Sequence, residues 1–126
     1  MQAPTKIAII EDDPVISQMY LMKFEADGFE VQRAENGKLG VALVEQMKPD
    51  LILLDLHMPV MDGAEALEEI RKHSWGKKVP VIVLTNLGAE EAPKRLHSLG
   101  IHSYIVKAEL TPRQVVQHVK EALKLT

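Results

Sequence analysis

Asp55 is the residue whose position in this sequence most strongly indicates chemistry. It follows the apolar run Leu51–Leu54 and begins a turn marked by Pro59 and Gly63. A carboxylate at the end of a buried strand lies where open α/β sheets place their reactive groups. Three other apolar runs also end at polar residues, namely the acids Glu11, Asp12 and Asp13, the hydroxyl of Thr85 and the ammonium of Lys107. One parallel sheet would bring all of them to the same edge.

Several carboxylates at one edge of a sheet repel each other, and this repulsion raises their pKa values. A hard divalent cation removes the conflict. Mg²⁺ prefers oxygen ligands and keeps several of its waters, so one or two carboxylates are enough to bind it. We therefore expect a Mg²⁺ site at this edge. Solvated loop residues or helix caps are the alternative, and Asp13 before Pro14 is expected to be a cap.

The elements that must position these residues can be predicted from the alternation of short apolar runs with amphipathic stretches. This alternation is typical of βα repeats and a parallel sheet. The runs are continuous, as expected when helices cover both faces. Five strands are predicted, at Ile7–Ile10, Phe29–Ala34, Leu51–Leu54, Val81–Leu84 and Tyr104–Val106. The second strand is the most polar, and we expect it at an edge of the sheet.

Five helices are predicted to follow the strands, and several of their ends are marked. Asp13-Pro14 and Thr111-Pro112 are pairs of a cap and a first helical residue. Helical spacing predicts one apolar face for each helix. In the first helix this face contains Val15, Met19, Met22 and Ala26, and in Lys38–Met47 it contains Leu39, Ala42, Leu43 and Met47. In Ala64–Lys72 it contains Leu67 and Ile70, and in the last helix Val115, Val116, Val119 and Leu123 are expected to face inward. A fourth helix is predicted at Glu90–Leu99, with Pro93 in its first turn and Gly100 at its end.

Composition limits the class of protein. The chain has 126 residues, a formal net charge of -3, a pI of about 5.9 and no cysteine. One domain is expected from this length. The acidic balance argues against direct nucleic-acid binding, which needs a basic surface. The N-terminus has no apolar segment typical of a secretory signal, and no run is long enough to span a membrane, so we expect a cytoplasmic protein.

The ordered set of residues at the strand ends identifies a family resemblance. The set consists of Glu11-Asp12, Asp55, Met58-Pro59, Asp62-Gly63, Thr85, Tyr104 and Lys107. Because of this set, the chain resembles the receiver domain of two-component response regulators. The resemblance extends from about Lys6 to Leu125. The resemblance implies a single receiver domain across residues 1–126. It also implies the flavodoxin-like α/β fold, a doubly wound sandwich of five βα units with strand order 2-1-3-4-5.

The resemblance also implies a role for each of these residues. Asp55 would accept a phosphoryl group from a histidine kinase or a phosphotransfer protein. Mg²⁺ would be bound directly by Asp12, Asp55 and the backbone carbonyl of His57, and through water by Glu11. Thr85 and Lys107 would contact the phosphoryl oxygens. Such a domain catalyses its own phosphorylation and dephosphorylation but is not an enzyme of repeated turnover.

Signal output is expected to depend on movement and on a protein partner. In receivers an aromatic residue at the position of Tyr104 turns inward when the residue at Thr85 moves toward the phosphoryl group. The face formed by the predicted fourth helix, fifth strand and fifth helix would then contact an output protein, from a monomer or weak dimer. His57, Asn86 and Leu87 occupy positions that tune the lifetime of the phosphoryl group.

Other functions fit the residues less well. A phosphohydrolase with an aspartate nucleophile would need a second Asp at position 57, which is His57. An inactive receiver would lack an acid, the acceptor or the lysine, and all are present. No Gly-x-Gly-x-x-Gly motif follows the first strand, so dinucleotide binding is not supported. The five histidines, His57, His73, His97, His102 and His118, show no metal-ligand spacing and are expected to be surface residues.

Overall fold

The computed structural model describes residues 3–125 and contains one parallel sheet with helices on both faces. The strands are β1 (Lys6–Ile10), β2 (Glu30–Ala34), β3 (Leu51–Leu54), β4 (Val81–Thr85) and β5 (Ser103–Val106). The α-helices are α1 (Pro14–Ala26), α2 (Gly37–Met47), α3 (Gly63–Arg71) and α4 (Pro112–Ala122). The strand order is β2-β1-β3-β4-β5, with every pair parallel. The predicted fold, strand order and edge position of β2 are confirmed.

The core consists of two apolar layers, one on each face of the sheet. Successive residues of a strand face opposite sides, so Ile7 and Ile9 of β1 pack in one layer and Ala8 and Ile10 in the other. The first layer is covered by α1 and α4, and the second by α2 and α3. This double burial explains why the strands have continuous apolar sequences. None of the helices within residues 3–125 is long and apolar enough to cross a membrane.

The helix starts are fixed by side-chain caps, as the sequence predicted for two of them. The Asp13 carboxylate accepts hydrogen bonds from the backbone N–H groups of Val15 and Ile16 at the start of α1. Thr111 forms a capping box with Gln114 at the start of α4. A third cap, Asp62, forms a capping box at the start of α3, immediately after the Asp55 turn. These caps determine the first residues of α1, α3 and α4, next to the carboxyl ends of the strands.

The predicted faces of α1 and α2 are correct only in part, since Met19 of α1 and Met47 of α2 pack in the core as predicted but other members of each face do not. In α1, Val15 and Met22 are 77% and 59% exposed, and the residues that enter the core are Tyr20 and Phe24. Apolar residues occur on all sides of α1, so their spacing does not select one face. In α2, Leu39 is exposed, whereas Gly40 lies against β1. A Cβ atom at Gly40 would be only 2.7 Å from the Ile10 side chain, so this glycine allows the helix to pack closely and determines its rotation.

The predicted fourth helix is also wrong, because Glu90–Leu99 does not form an α-helix. The segment contains two short 3-10 turns, Ala89–Glu91 and Lys94–Leu99. Ala92 and Pro93, between them, are extended, with ψ angles of 144° and 134°. Proline has no N–H to donate and disfavours a helical residue before it, so the chain cannot continue as one helix. Gly100 ends the segment at φ 73°, as predicted.

Candidate functional site

The carboxyl ends of the parallel strands bring the predicted residues together at one edge. Glu11 and Asp12 follow β1, Asp55 follows β3, Thr85 ends β4 and Lys107 follows β5. Three of the side chains are almost completely buried, with exposed fractions of 5% for Glu11, 6% for Asp55 and 1% for Thr85. Asp12 is exposed. The site is therefore a set of buried polar groups with one carboxylate at its solvent side.

The carboxylates form a cluster that fits a divalent cation. One oxygen each from Glu11, Asp12 and Asp55 lies within 4.8 Å of the others. An all-oxygen donor set with an exposed member suits Mg²⁺, which retains part of its water shell. Asp13 does not join this cluster in the described residues, because its carboxylate caps α1. The geometry thus favours the pair Glu11 and Asp12 over the pair Asp12 and Asp13.

Lys107 extends into the acidic cluster and is held mainly by Glu11. Its Nζ atom lies 2.5 Å from Glu11 Oε1 and 3.6 Å from Asp55 Oδ2, and its side chain is only 13% exposed. The other oxygen of Glu11 accepts a hydrogen bond from the Asp13 N–H at 3.1 Å. Both oxygens of Glu11 are thereby occupied, whereas Asp55 keeps a looser contact with the ammonium.

Glu11 is the member of the cluster whose protonation is most affected by the fold. Burial raises its pKa from 4.5 to about 7. The hydrogen bonds from Lys107 and from the Asp13 N–H oppose this shift, while the nearby Asp55 charge adds to it. Burial is the largest of these effects, so the pKa of Glu11 rises despite its cationic partner.

A short hydrogen-bond chain connects Thr85 with Tyr104 through one backbone residue. The N–H of Leu87 donates to Thr85 Oγ1 at 3.3 Å, and the Tyr104 hydroxyl donates to the Leu87 carbonyl at 2.8 Å. Tyr104 is half-buried and packs against the core layer next to α2 and α3. Burial, together with the charges of Glu91, Glu90 and Asp55, raises the pKa of its hydroxyl. A displacement of the Leu87 backbone would therefore affect both side chains.

An open cavity of about 230 Å³ lies directly over Asp55. It is lined by Asp55, His57, Thr85, Asn86 and Leu87. His57 and Asn86 are exposed and Leu87 is half-buried. The three residues predicted to tune phosphoryl lifetime thus share a cavity with the predicted acceptor and with Thr85. An incoming donor or water molecule that enters this cavity would contact them.

Gly63 is a positioning residue that the sequence pattern did not assign. A Cβ atom at this position would lie 2.1 Å from the backbone oxygen of Asp55, and the Gly63 N–H donates to the Leu56 carbonyl at 2.9 Å. Only glycine allows α3 to start this close to the Asp55 backbone. In the sequence, the Asp62-Gly63 pair indicated a turn at this position. It did not indicate that Gly63 would lie so close to the Asp55 backbone.

Comparisons with known proteins agree with this geometry. The family model described as response regulator receiver domain matches residues 7–120. The transcriptional regulatory protein ResD of Bacillus subtilis is 38% identical over 120 residues, which cover 95% of this chain and 48% of ResD. The chain spans about half or less of the length of the curated relatives it matches.

Two solved structures are similar over nearly their full lengths. The chemotaxis protein CheY4 of Vibrio cholerae superposes with a TM-score of 0.86 at 27% identity, covering 94% of this chain and 98% of CheY4. The receiver domain of the sensor histidine kinase PA1611 of Pseudomonas aeruginosa gives 0.84 at 27% identity, covering 94% and 97%. That structure has a magnesium ion coordinated in its active site cleft. The chain belongs to the response regulator receiver domain family of two-component signalling proteins.

Proposed function

We propose that this receiver domain is a Mg²⁺-dependent phosphoacceptor switch, phosphorylated on Asp55 by a histidine kinase or a phosphotransfer protein. The observation that carries the proposal is the surroundings of the buried Asp55 carboxylate. It has two further carboxylates beside it, the Lys107 ammonium 3.6 Å away, and a cavity above it. Phosphoryl transfer depends mainly on such positioning and charge neutralisation.

The acidic cluster is the proposed binding site for Mg²⁺. Asp12, Asp55 and the His57 backbone carbonyl would be direct ligands, and Glu11 would act through water. The occupied oxygens of Glu11 support an indirect role for that residue. When bound, the ion would neutralise charge on the phosphoryl group and on the carboxylates. Among residues 3–125, Lys107 is the one cationic side chain that forms ion pairs with this cluster, and it contacts Glu11 and Asp55.

In the proposed transfer one bond to phosphorus forms and one breaks. An oxygen of the Asp55 carboxylate attacks phosphorus and forms a P–O bond, while the P–N bond to the donor histidine breaks. The leaving imidazole nitrogen keeps the electron pair of that bond and takes a proton from solvent. Lys107 and Thr85 would contact two of the phosphoryl oxygens. Hydrolysis reverses the modification when water attacks phosphorus opposite the Asp55 oxygen.

Lys107 would change partners during this reaction. In the structure it is bound more closely to Glu11 than to Asp55. A phosphoryl group on Asp55 brings more negative charge within its reach, so the ammonium would move toward it. Thr85 would move in the same direction, and the Leu87 backbone connects that movement with Tyr104. Thr85 and Tyr104 would therefore transmit the conformational change from the phosphorylation site to the surface.

Output is proposed to pass through protein contacts. The surface concerned, which we call the output face, consists of Lys94–Leu99, β5 and α4. Tyr104 connects this face with the site. We propose a cytoplasmic domain that acts as a monomer or weak dimer, without direct contact with nucleic acid or membrane.

Phosphorylation in the presence and absence of metal tests this function. The protein is incubated with acetyl phosphate, and the mass of the intact chain is measured. We expect addition of one phosphoryl group with Mg²⁺ and none with a chelator. Asp12→Ala should lose this labelling, whereas Asp13→Ala, which removes only a helix cap, should keep it. Undiminished labelling in chelator, or a requirement for Asp13 rather than Asp12, would refute the proposal.

A further inference from the structure

A second polar cluster lies on β5 and α4 and contains two histidines. Nδ1 of His102 is 2.5 Å from Ser103 Oγ, and Nε2 of His118 is 2.8 Å from the same oxygen. The two rings meet edge to face, with centroids 6.1 Å apart and an angle of 83° between their planes. Two imidazole nitrogens thus point at a single position, although His102 and His118 are 16 positions apart in the sequence.

The fold explains this convergence. Ser103 lies on the same side of β5 as Ile105, which packs against α4 through the core layer that contains Val115 and Val119. His118 is on α4 and contacts Ser103 across the packed layer, while His102 is the residue immediately before β5. Because β5 is an edge strand, no further strand covers the pair. His102 is exposed and His118 is half-buried, so solvent can reach the cluster.

This cluster is separate from the phosphorylation site. Ser103 starts β5, whereas Lys107 follows the end of that strand. Four residues of extended chain span about 13 Å at roughly 3.3 Å each. The histidines therefore lie at the opposite end of β5 from Asp55, on the output face.

We propose that His102 and His118 form a binding site for Zn²⁺ or a similar divalent transition metal. Imidazole nitrogen is a good ligand for Zn²⁺, with bonds of about 2.0–2.1 Å. A change of the Ser103 side chain to another rotamer would vacate the position between the two nitrogens. A small rotation of the exposed His102 side chain would then bring both nitrogens to that distance from one ion. Water would complete the coordination. In the absence of metal, Ser103 holds the two rings in place by donating to one nitrogen and accepting from the other.

The chemistry of the ligands separates this site from the acidic cluster. Mg²⁺ is selected by oxygen ligands, whereas nitrogen ligands favour Zn²⁺, Cu²⁺ and Ni²⁺. The two sites should thus fill independently when both metals are present. The proposal does not rest on phosphorylation of Asp55, and it can fail or succeed independently of that function.

The test is calorimetric titration of the full chain with ZnCl₂ in the presence of excess Mg²⁺, which occupies the acidic cluster. We expect one Zn²⁺ per chain, and a loss of affinity of at least about tenfold in both His102→Ala and His118→Ala. His97→Ala and His73→Ala are matched controls and should bind as the wild type does. Zinc should also shift the imidazole NMR signals of His102 and His118.

His118→Gln provides a variant that retains a side chain of similar shape if alanine disturbs α4. It should lose zinc affinity while its circular dichroism and Mg²⁺ binding stay unchanged. Wild-type zinc affinity in the two alanine variants would overturn the proposal. Zinc-induced shifts confined to the residues around Asp55 would overturn it as well.

Discussion

At the scale of single residues, the buried Glu11 carboxylate makes the stability of the fold depend on pH. Burial raises its pKa to about 7, so folded Glu11 keeps a proton that the unfolded chain releases near pH 4.5. Between pH 4.5 and about pH 7 the folded state therefore binds more protons than the unfolded state does. Its stability is highest below this window and falls as pH rises through about 7.

We expect the free energy of unfolding of the metal-free protein to fall between about pH 5 and pH 8 by up to about 3 kcal/mol because of Glu11 alone. Glu11→Gln removes the titrating group and should flatten this part of the profile. Chemical denaturation in chelator at both pH values measures the difference. Parallel profiles for the wild type and Glu11→Gln would show that Glu11 does not titrate in this range.

Leu87 is expected to lengthen the life of the phosphorylated state. Loss of the phosphoryl group needs a water in line with the P–O bond, and Leu87 lines the cavity over Asp55 where such a water would lie. An apolar side chain cannot orient water, and Asn86 adds bulk beside it. His57 could assist a water, but base assistance to a loose transition state is small.

Leu87→Glu should therefore speed the decay of phosphorylated Asp55 several-fold. The decay is followed by intact mass after removal of the phosphodonor. Val60→Glu, on an exposed residue outside that cavity, is a control and should not change the rate. Decay of the wild type within seconds, or an unchanged rate in Leu87→Glu, would remove the basis for this hypothesis.

Several of the predicted site residues, among them Glu11, Asp55 and Lys107, directly follow apolar runs, whereas Tyr104 and the choice of the pair Glu11-Asp12 came from the family resemblance. A parallel sheet places the ends of these runs at one edge, so their proximity could be expected from the sequence, while the role of each residue came from the resemblance. Pairings between them were not predictable. The hold of Glu11 on Lys107 and the meeting of His102 with His118 depend on how different segments pack, and the approach of Gly63 to Asp55 depends on the exact path of the turn between them.

At the scale of elements, the segment between β4 and β5 is held by side chains rather than by its own helix. The Arg71 guanidinium donates to the carbonyls of Leu99 and Gly100, at the end of this segment, and to those of Gly76 and Val79, which precede β4, at 2.8 to 3.1 Å. It thereby ties the segment to the connection between α3 and β4. Burial lowers the pKa of this guanidinium. Arg95 adds exposed ion pairs with Asp62 and Glu68 at the side of α3.

Arg71→Ala should destabilise the protein by about 2–4 kcal/mol, because several carbonyls lose a charged donor together. Lys72→Ala, at the neighbouring exposed position, should change the unfolding free energy by less than about 0.5 kcal/mol. Urea denaturation of both variants measures this contrast. Equal, small effects would mean that water replaces Arg71 and that it does not anchor the segment.

Strands were easier to predict than helices for a physical reason. A strand buried on both faces is apolar throughout, and its ends are marked by the polar residues of the site. The buried face of a helix depends on its partners, as the aromatic anchors of α1 and the glycine contact of α2 show. Glu90–Leu99 has a helical pattern of apolar residues, but Pro93 prevents a continuous helix. The structure shows this by the extended backbone of Ala92, the residue before Pro93.

At the scale of the whole molecule, activation is expected to reshape the output face. The connection runs from Thr85 through Leu87 to Tyr104, and Tyr104 belongs to β5 of that face. Backbone amide shifts with and without beryllofluoride, a phosphoryl mimic, should therefore change in β5, in Lys94–Leu99 and in α4. Tyr104→Ala should confine the changes to the cavity around Asp55. Wild-type changes confined to that cavity would contradict this account.

The measurement that most directly tests the central claim is the position of the phosphoryl group after reaction with acetyl phosphate and Mg²⁺. We predict one acid-labile phosphoryl group, located on Asp55 by peptide mapping. It should be absent in Asp55→Asn and present in Asp50→Asn, a control at an exposed carboxylate before β3. A phosphoryl group on another residue, or undiminished labelling of Asp55→Asn, would contradict the account.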